Sequence, residues 1–471
     1  MKIHFNPKVF LRQFKIAASV APVRDVKPTL CNVKIVADKS DGVVLMATDT
    51  EIGIRCRVDA DVLASGEALS PVKQFRQILE SAKDGRLTLE TTKNGILVTG
   101  EHGGHWGLDT QSPDEFPDVA EFAETAYHEI PAKALSEMIR RTIFAIDTED
   151  IRYALGGVCF ESDGNRMTAV ATDGRRLAVQ DADGCRVNGH EYEPAILPVN
   201  ALKLLTKVLK EKSVGDTDSV KMAVHTEVDN ERRTSGTVHC HCGGVTIFSR
   251  LVDGRFPKWR AIMPETDGRL HAQVRSETLR TALDRMVTTK SETGILFAFR
   301  RGKLTLQSRA KEPGQSKATI SVAFDGTAEF IFDVSFVRDF LRPLDAETAV
   351  DIFMTIDNSD PVLFGIGDDN YRYVVMPMSR DETAKAKTTA DTNAKPEADT
   401  GREVIGQVST VEEQMKKVDE APIPDNDMEM EVFQLLQEND QLQAKVEHYR
   451  ILLDRAMRAI ERMKNEQRVC V

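Results

Sequence analysis

At 471 residues with 41% hydrophobic content, the chain is long enough for about three domains with packed cores. A net charge of −12 excludes a protein that is basic all over, but leaves room for one basic face on an acidic body. No run approaches the roughly 18 apolar residues of a membrane helix, and the opening MKIHFNPKVF has no signal-peptide core.

Taken in chain order, KIHFNPKVFLRQFKIAASV from Lys2 predicts a short strand and then an amphipathic helix. LMATDTEIGIRC, from Leu45 to Cys56, reads as strand, tight turn, strand. LSPVKQFRQILESA from Leu69 is a second strand-helix piece, and GRLTLETTKNGILVTGE gives alternating strands. EHGGHWG from Glu101 lacks helical metal spacing, and its Trp106 and Leu108 read as strand packing or an edge interface. The order then restarts with HEIPAKALSEMIRRTIFAI from His128, AVATDGRRLAVQ from Ala169 and ILPVNALKLLTKVLKE from Ile196. It restarts again with HAQVRSETLRTALDRMVTT from His271 and FIFDVSFVRDFLRPL from Phe330. The chain is therefore an α+β protein of three repeats, each with two helices and antiparallel strands.

Asp173-Gly174 is then a turn pair echoed in the preceding repeat, because both residue types accept the dihedrals of tight turns. No neighbouring His, Cys or second carboxylate gives Asp173 a catalytic partner, so a hydrolase built on it has no support. In VHCHCGG, His239 and His241 face one way on a strand and Cys240 and Cys242 the other, so four metal ligands cannot converge. The seven cysteines (Cys31, Cys56, Cys159, Cys185, Cys240, Cys242 and Cys470) read as dispersed, reduced cytosolic thiols. No GxxxxGK[ST] loop occurs, so ATP hydrolysis is not expected, and neither a metal nor a cofactor is called for.

The six helices carry more basic than acidic residues, among them Arg12, Lys73, Arg140, Lys203, Lys207 and Lys210. On one helix such residues read as a solvated face. Their recurrence in every repeat points to a shared basic layer suited to phosphate backbones without base readout. After Arg380 the composition turns to Ala, Thr, Asp, Glu and Lys, so 381–427 is predicted to be a flexible linker. Helical pattern returns over 428–468. Heptads place Val432, Asn439, Val446, Leu453 and Ile460 at a, and Leu435, Leu442, Tyr449, Ala456 and Met463 at d. That pattern predicts a parallel two-stranded coiled coil with a register-fixing Asn, although a lone amphipathic helix docked on its own body fits as well.

TEDIRYALGGVCFE, VATDGRRLAV, FSRLVDGRFPKWRAIMP and YRYVVMPM occur in this order. Together they resemble the bacterial sliding clamp family, the β subunit of DNA polymerase III, over residues 1 to about 380. The resemblance implies clamp domains at 1–126, 127–268 and 269–380, and a head-to-tail homodimeric ring with helices lining the hole. It implies a cytoplasmic, nucleoid-associated and non-catalytic processivity factor. The implied partners are duplex DNA, the DNA polymerase III alpha subunit, the clamp loader, and other clamp-binding repair polymerases and ligase, with no membrane. It assigns a protein-binding pocket to Leu155, Thr172, Gly174, Arg175, Arg176, Leu177, Pro257, Ile262, Val374, Met376, Pro377 and Met378, bordered by Pro361 and Val362. Taken alone, Met376 and Met378 read as core residues of a last strand. The resemblance assigns DNA contact to Lys27, with Arg24 nearby, and to Arg12, Lys73 and the position of Glu149. Val199 and Asn200 depart from a basic pattern, which shifts the expected contacts to Lys203, Lys207 and Lys210, with Arg140. The ring interface falls on Trp106 and Leu108 facing Thr288 and Thr289, where the family pattern is apolar.

Overall fold

The computed structural model describes residues 1–378 apart from 83–84, 149–152, 190–193, 211–218, 229–233, 287–293 and 309–315. Contacts divide the chain into Met1–Asn393 and Ala394–Val471, and the described residues all belong to the first unit. The expected linker and heptads, Glu149, Thr288 and Thr289 lie outside the described residues.

Among the described residues, six helices of eight or more residues recur in pairs: α1 (Pro7–Ala17) with α2 (Val72–Ser81), α3 (Ala132–Thr142) with α4 (Val199–Leu209), and α5 (Ser276–Met286) with α6 (Val334–Leu341). Local chemistry starts α1: Pro7 takes the first turn and Asn6 Oδ1 accepts from Lys8 N at 2.9 Å. Phe10 and Phe14 on its buried face pack edge-on against Phe75 of α2, with ring centroids 5.9 and 5.1 Å apart. Lys8, Arg12 and Lys15 stay exposed on the opposite face.

The described strands form four antiparallel sheets, two of which run across the boundaries between repeats. In a nine-stranded sheet, Val245–Arg250 of the second repeat pairs with Ile52–Val58 of the first. In an eight-stranded sheet, Arg176–Asp183 of the second repeat pairs with Tyr371–Val375 of the third. We call these the first and second seams. A five-stranded sheet in the first repeat ends on the edge strand His105–Asp109. A four-stranded sheet in the third ends on Lys317–Ser321. The main core lies between these sheets and the helices, and Cys240 and Cys242 point into it from a strand whose histidines face the other way. Burial and the neighbouring Cys242 push the Cys240 thiol up to about 12, so it behaves as an inert apolar group.

The echo read in the sequence is a repeated turn. In the second repeat Asp173 Oδ1 accepts from Arg175 N (2.9 Å) and Arg176 N (3.0 Å), while Thr172 Oγ1 donates to Arg176 O (2.6 Å). In the first, Asp49 Oδ1 accepts from Glu51 N (3.0 Å) and Ile52 N (2.7 Å), while Thr48 Oγ1 donates to Ile52 O (2.8 Å). The third turn position sits at φ +86° in Gly174 and at φ +80° in Thr50, a β-branched residue in a region that favours glycine. Gly174→Thr is expected to destabilise the protein by about 1–2 kcal/mol in urea titration. Thr50→Gly is expected to stabilise it by about 0.5 kcal/mol, since relieved strain exceeds the added chain entropy.

Candidate functional site

The second seam carries an apolar cleft on the sheet face away from the helices. Strand alternation puts Leu177 and its cross-strand partner Val374 outward, where they join Cys159, Val170, Val179, Ile196, Leu363 and Trp259 in a cluster separate from the main core. The connecting segment after Arg250 forms one wall through Val252, Phe256, Trp259 and Met263. At the mouth, Met376 is 42% and Ile262 57% exposed, while Leu177 and Val374 form a buried floor. Met376 is held there by its N–H, which donates to Arg175 O at 2.9 Å. Leu155 and Thr172 are buried, Gly174, Arg175 and Pro257 are exposed, and Pro361 accepts from Arg269 Nη1 at 2.8 Å through its carbonyl.

Three expected pocket residues sit elsewhere than the cleft floor. Arg176 points through to the helix side. There its Nε donates to Asp173 Oδ2 (2.8 Å), its Nη1 to Asp339 Oδ2 on α6 (2.7 Å) and its Nη2 to Phe144 O (2.7 Å). Its guanidinium also lies 4.3 Å from the Phe336 ring. Burial opposes the charge, but Tyr373, Asp339 and Asp173 outweigh it and hold the group above its ordinary value. Val362, expected at the border, faces the main core, and its neighbour Leu363 faces the cleft, because adjacent strand residues take opposite faces. Met378 continues along the third repeat, its N–H donating to Ile331 O at 2.8 Å.

Sequence reading missed Leu363, Trp259 and Glu161. An available signal was the echo of EFPDV, Glu115 to Val119, in RFPKW, Arg255 to Trp259, which marks the two covering segments as equivalent. The first seam is filled differently at the equivalent position. Gly53 pairs with Phe248 there, as Leu177 pairs with Val374. A Cβ on Gly53 would lie 2.8 Å from Val119 Cγ1, so the chain's own Val119 fills the space. Arg55 Nη1 fixes that segment by donating to Val119 O at 2.9 Å.

On the helix layer Arg12, Lys73, Arg140, Lys203, Lys207 and Lys210 are all exposed, as are Arg24 and Lys27 in the loop after α1. The α1 and α4 surfaces meet where Lys207 Nζ donates to Lys15 O at 3.3 Å. Some of the charge is already paired, with Lys15–Glu80 at 2.9 Å and Arg140–Glu137 at 3.6 Å. Arg141 turns into the second seam instead, bonding Gln180 Oε1 at 2.9 Å.

Three α+β repeats joined by sheets across their seams, with basic helices on one layer and an apolar cleft on the other, define a clamp-type binding protein. Family models for the N-terminal, central and C-terminal domains of the DNA polymerase III beta subunit match residues 1–120, 129–258 and 260–379. The chain belongs to this family, the beta sliding clamps, and is a non-catalytic DNA polymerase processivity clamp. The beta sliding clamp of Pseudomonas putida is 28% identical over 383 residues, covering 80% of this chain and 100% of its own. That of Salmonella typhimurium is 26% identical, covering 75% of this chain and 93% of its own. The crystal structure of the DNA polymerase III subunit beta from Pseudomonas aeruginosa superposes with a TM-score of 0.72 at 26% identity, over 80% of this chain and 100% of that one.

The Arg176 clasp is the main side-chain tie across the helix side of the second seam. Its guanidinium and the Asp173 carboxylate are 11% and 13% exposed, so removing the cation strands buried charge. Arg176→Met is expected to cost about 3 kcal/mol in urea unfolding, and restoring neutrality with Asp339→Asn in the same chain should recover part of it.

Proposed function

We propose that two copies close head to tail into a ring around duplex DNA, with domains at 1–126, 127–268 and 269–380. The carrying observation is a split sheet. The nine-stranded sheet consists of a five-strand half from the second repeat and a four-strand half from the first. The first repeat's own five-strand half ends unpaired at His105–Asp109, and the third repeat's four-strand half ends unpaired at Lys317–Ser321. Joining these edges between two copies rebuilds the same nine-strand order twice and removes the exposed edges. Trp106 and Leu108 on one edge, and Ala318 and Ile320 on the other, are half-buried and pack against the core. They would continue the apolar layer across the interface, with Thr288 and Thr289 beside it.

In this ring the helices face the hole. Arg12, Arg24, Lys27, Lys73, Arg140, Lys203, Lys207 and Lys210 meet phosphates without reading bases. The apolar cleft binds peptide segments of the DNA polymerase III alpha subunit, the clamp loader, and other clamp-binding repair polymerases and ligase. Its adaptable Met376 suits several sequences. The site is cytoplasmic, at the nucleoid. Among the described residues no helix is long and apolar enough to cross a membrane. The tail 428–468 forms a coiled coil that tethers the two subunits. Its linker of 47 residues (381–427) reaches roughly 35–40 Å, enough to raise their effective concentration.

Protein loaded on nicked circular DNA should remain until the circle is cut and then be lost; equal retention on linear DNA would refute the ring. A chain ending at Arg380 should dissociate to monomers at higher concentration than the full chain, and equal dissociation constants by sedimentation would remove the tether. For the cleft, Leu177→Ala with Met376→Ala should abolish binding of the alpha subunit in calorimetry while sparing the dimer, each truncation losing about 2–4 kcal/mol. Unchanged affinity would reject the cleft assignment.

A further inference from the structure

We propose that Glu161 is a positioning residue for partner binding, acting through the outer wall of the cleft; the proposal rests on the reading of that cleft as the partner site. The wall is the segment Pro257–Met263, whose single 3-10 turn spans Trp259–Ile262 and has no side-chain cap. Its internal bonds are local: Trp259 N to Pro257 O (2.7 Å), Ala261 N to Lys258 O (3.1 Å) and Met263 N to Arg260 O (3.4 Å). Such bonds shape the turn but do not fix it to the sheet.

Apolar packing of Trp259 and Met263 seats the segment on the sheet, and one carboxylate adds its polar tie. Trp259 Nε1 donates to Glu161 Oε1 at 3.1 Å, and Arg260 Nη1 donates to Glu161 Oε2 at 2.5 Å. A buried indole needs a partner for its N–H, and here that partner also pins the cation lying 4.3 Å over the same ring. The ring's other cation neighbour, Arg372 at 6.0 Å, is anchored to the sheet by Asp181 Oδ2 at 2.6 Å. Glu161 stands on Gly157–Asp163, two strands away from the seam strand Arg176–Asp183. Tying the indole there sets how the wall seats in the cluster with Leu177 and Val374, and so fixes the exposed Ile262.

The first seam serves as an internal control. Val36 pairs with Val44 as Glu161 pairs with Thr168, so a valine stands in the place of the carboxylate. With Val119 in place of Trp259 the carboxylate–indole tie is absent; Arg55 holds the covering segment instead, through Val119 O and Glu121, with Val119 against Gly53.

The test measures binding of purified DNA polymerase III alpha subunit to the full-length dimer by calorimetry. Glu161→Leu is expected to weaken binding about tenfold. Glu161→Gln, which keeps an acceptor for the indole, should come within about threefold of wild type, with Arg260→Ala similar. A role through the wall also predicts non-additivity: adding Glu161→Leu to Ile262→Ala should cost less than about twofold more, whereas a general loss of structure would multiply in full. In a Trp106→Phe background, Trp259 emission should shift to the red in Glu161→Leu and not in Glu161→Gln. Wild-type affinity in Glu161→Leu, or full multiplication in the double variant, overturns this inference alone. Failure of the wild-type protein to bind overturns the cleft reading and this inference with it.

Discussion

The architecture depends on backbone ladders that cross the seams. Each consists of five antiparallel residue pairs, Val245 to Ser249 against Ile52 to Cys56 and Arg176 to Gln180 against Tyr371 to Val375. Edge N–H and C=O groups must find partners or water, and here each repeat satisfies the edge of the next. Sheet continuity then dictates the rest. Helices packed on one face of a continuous sheet share a layer, so their outward lysines and arginines fall on a common surface. The opposite face is left for segments that connect one repeat to the next, and a cleft can form only where such a segment does not cover it.

The ladders are equal in length, yet the seams differ in chemistry, and that difference separates structure from function. At the second seam Arg176 fills the helix side and bridges to Asp339 and Phe144. At the first, Ile52 stands in the same turn position, and Ser19, Asp49, Asn200, Lys203, Leu204 and Lys207 help line a depression of about 390 Å3. On the outer side Val119 covers Gly53 at the first seam, where Val44, Met46, Arg55 and Phe122 help line a depression of about 700 Å3, while at the second Leu177 and Val374 lie buried in the apolar cluster, with Met376 and Ile262 exposed. The second seam is therefore cross-linked behind the cleft, where the clasp ties its strand Arg176–Asp183 to α6 of the third repeat.

Much of this was legible in the sequence because it is local. The Asp-Gly turn and the amphipathic helices are set by neighbours within a few residues, and three copies of the pattern made the repeat visible. Residues whose partners are remote were read less well. Arg176 looked like a pocket residue, but its role is decided by Asp339, which lies 163 positions away. Val362 and Leu363 differ only in strand parity, which a motif boundary does not fix. Trp259 and Glu161 carried a signal in the EFPDV and RFPKW echo, but pairing an indole with a carboxylate 98 residues earlier requires the fold.

Charge brings the two faces of the molecule together. The chain is acidic overall, and part of its helix-layer charge is spent on exposed pairs such as Lys15–Glu80 and Arg338–Asp284, both at 2.9 Å. Exposed pairs of this kind are worth about 0–1 kcal/mol, so a phosphate can replace the carboxylate at little cost. Such contacts exchange readily as a protein moves along DNA. Tight, specific salt links on the helix face would hinder that motion, and a part-buried one at the second seam, Arg176 with Asp173 and Asp339, is directed inward rather than toward the surface. In the proposed ring, retention would come from topology, so affinity for DNA could stay low while the cleft on the other face would supply the specific grip.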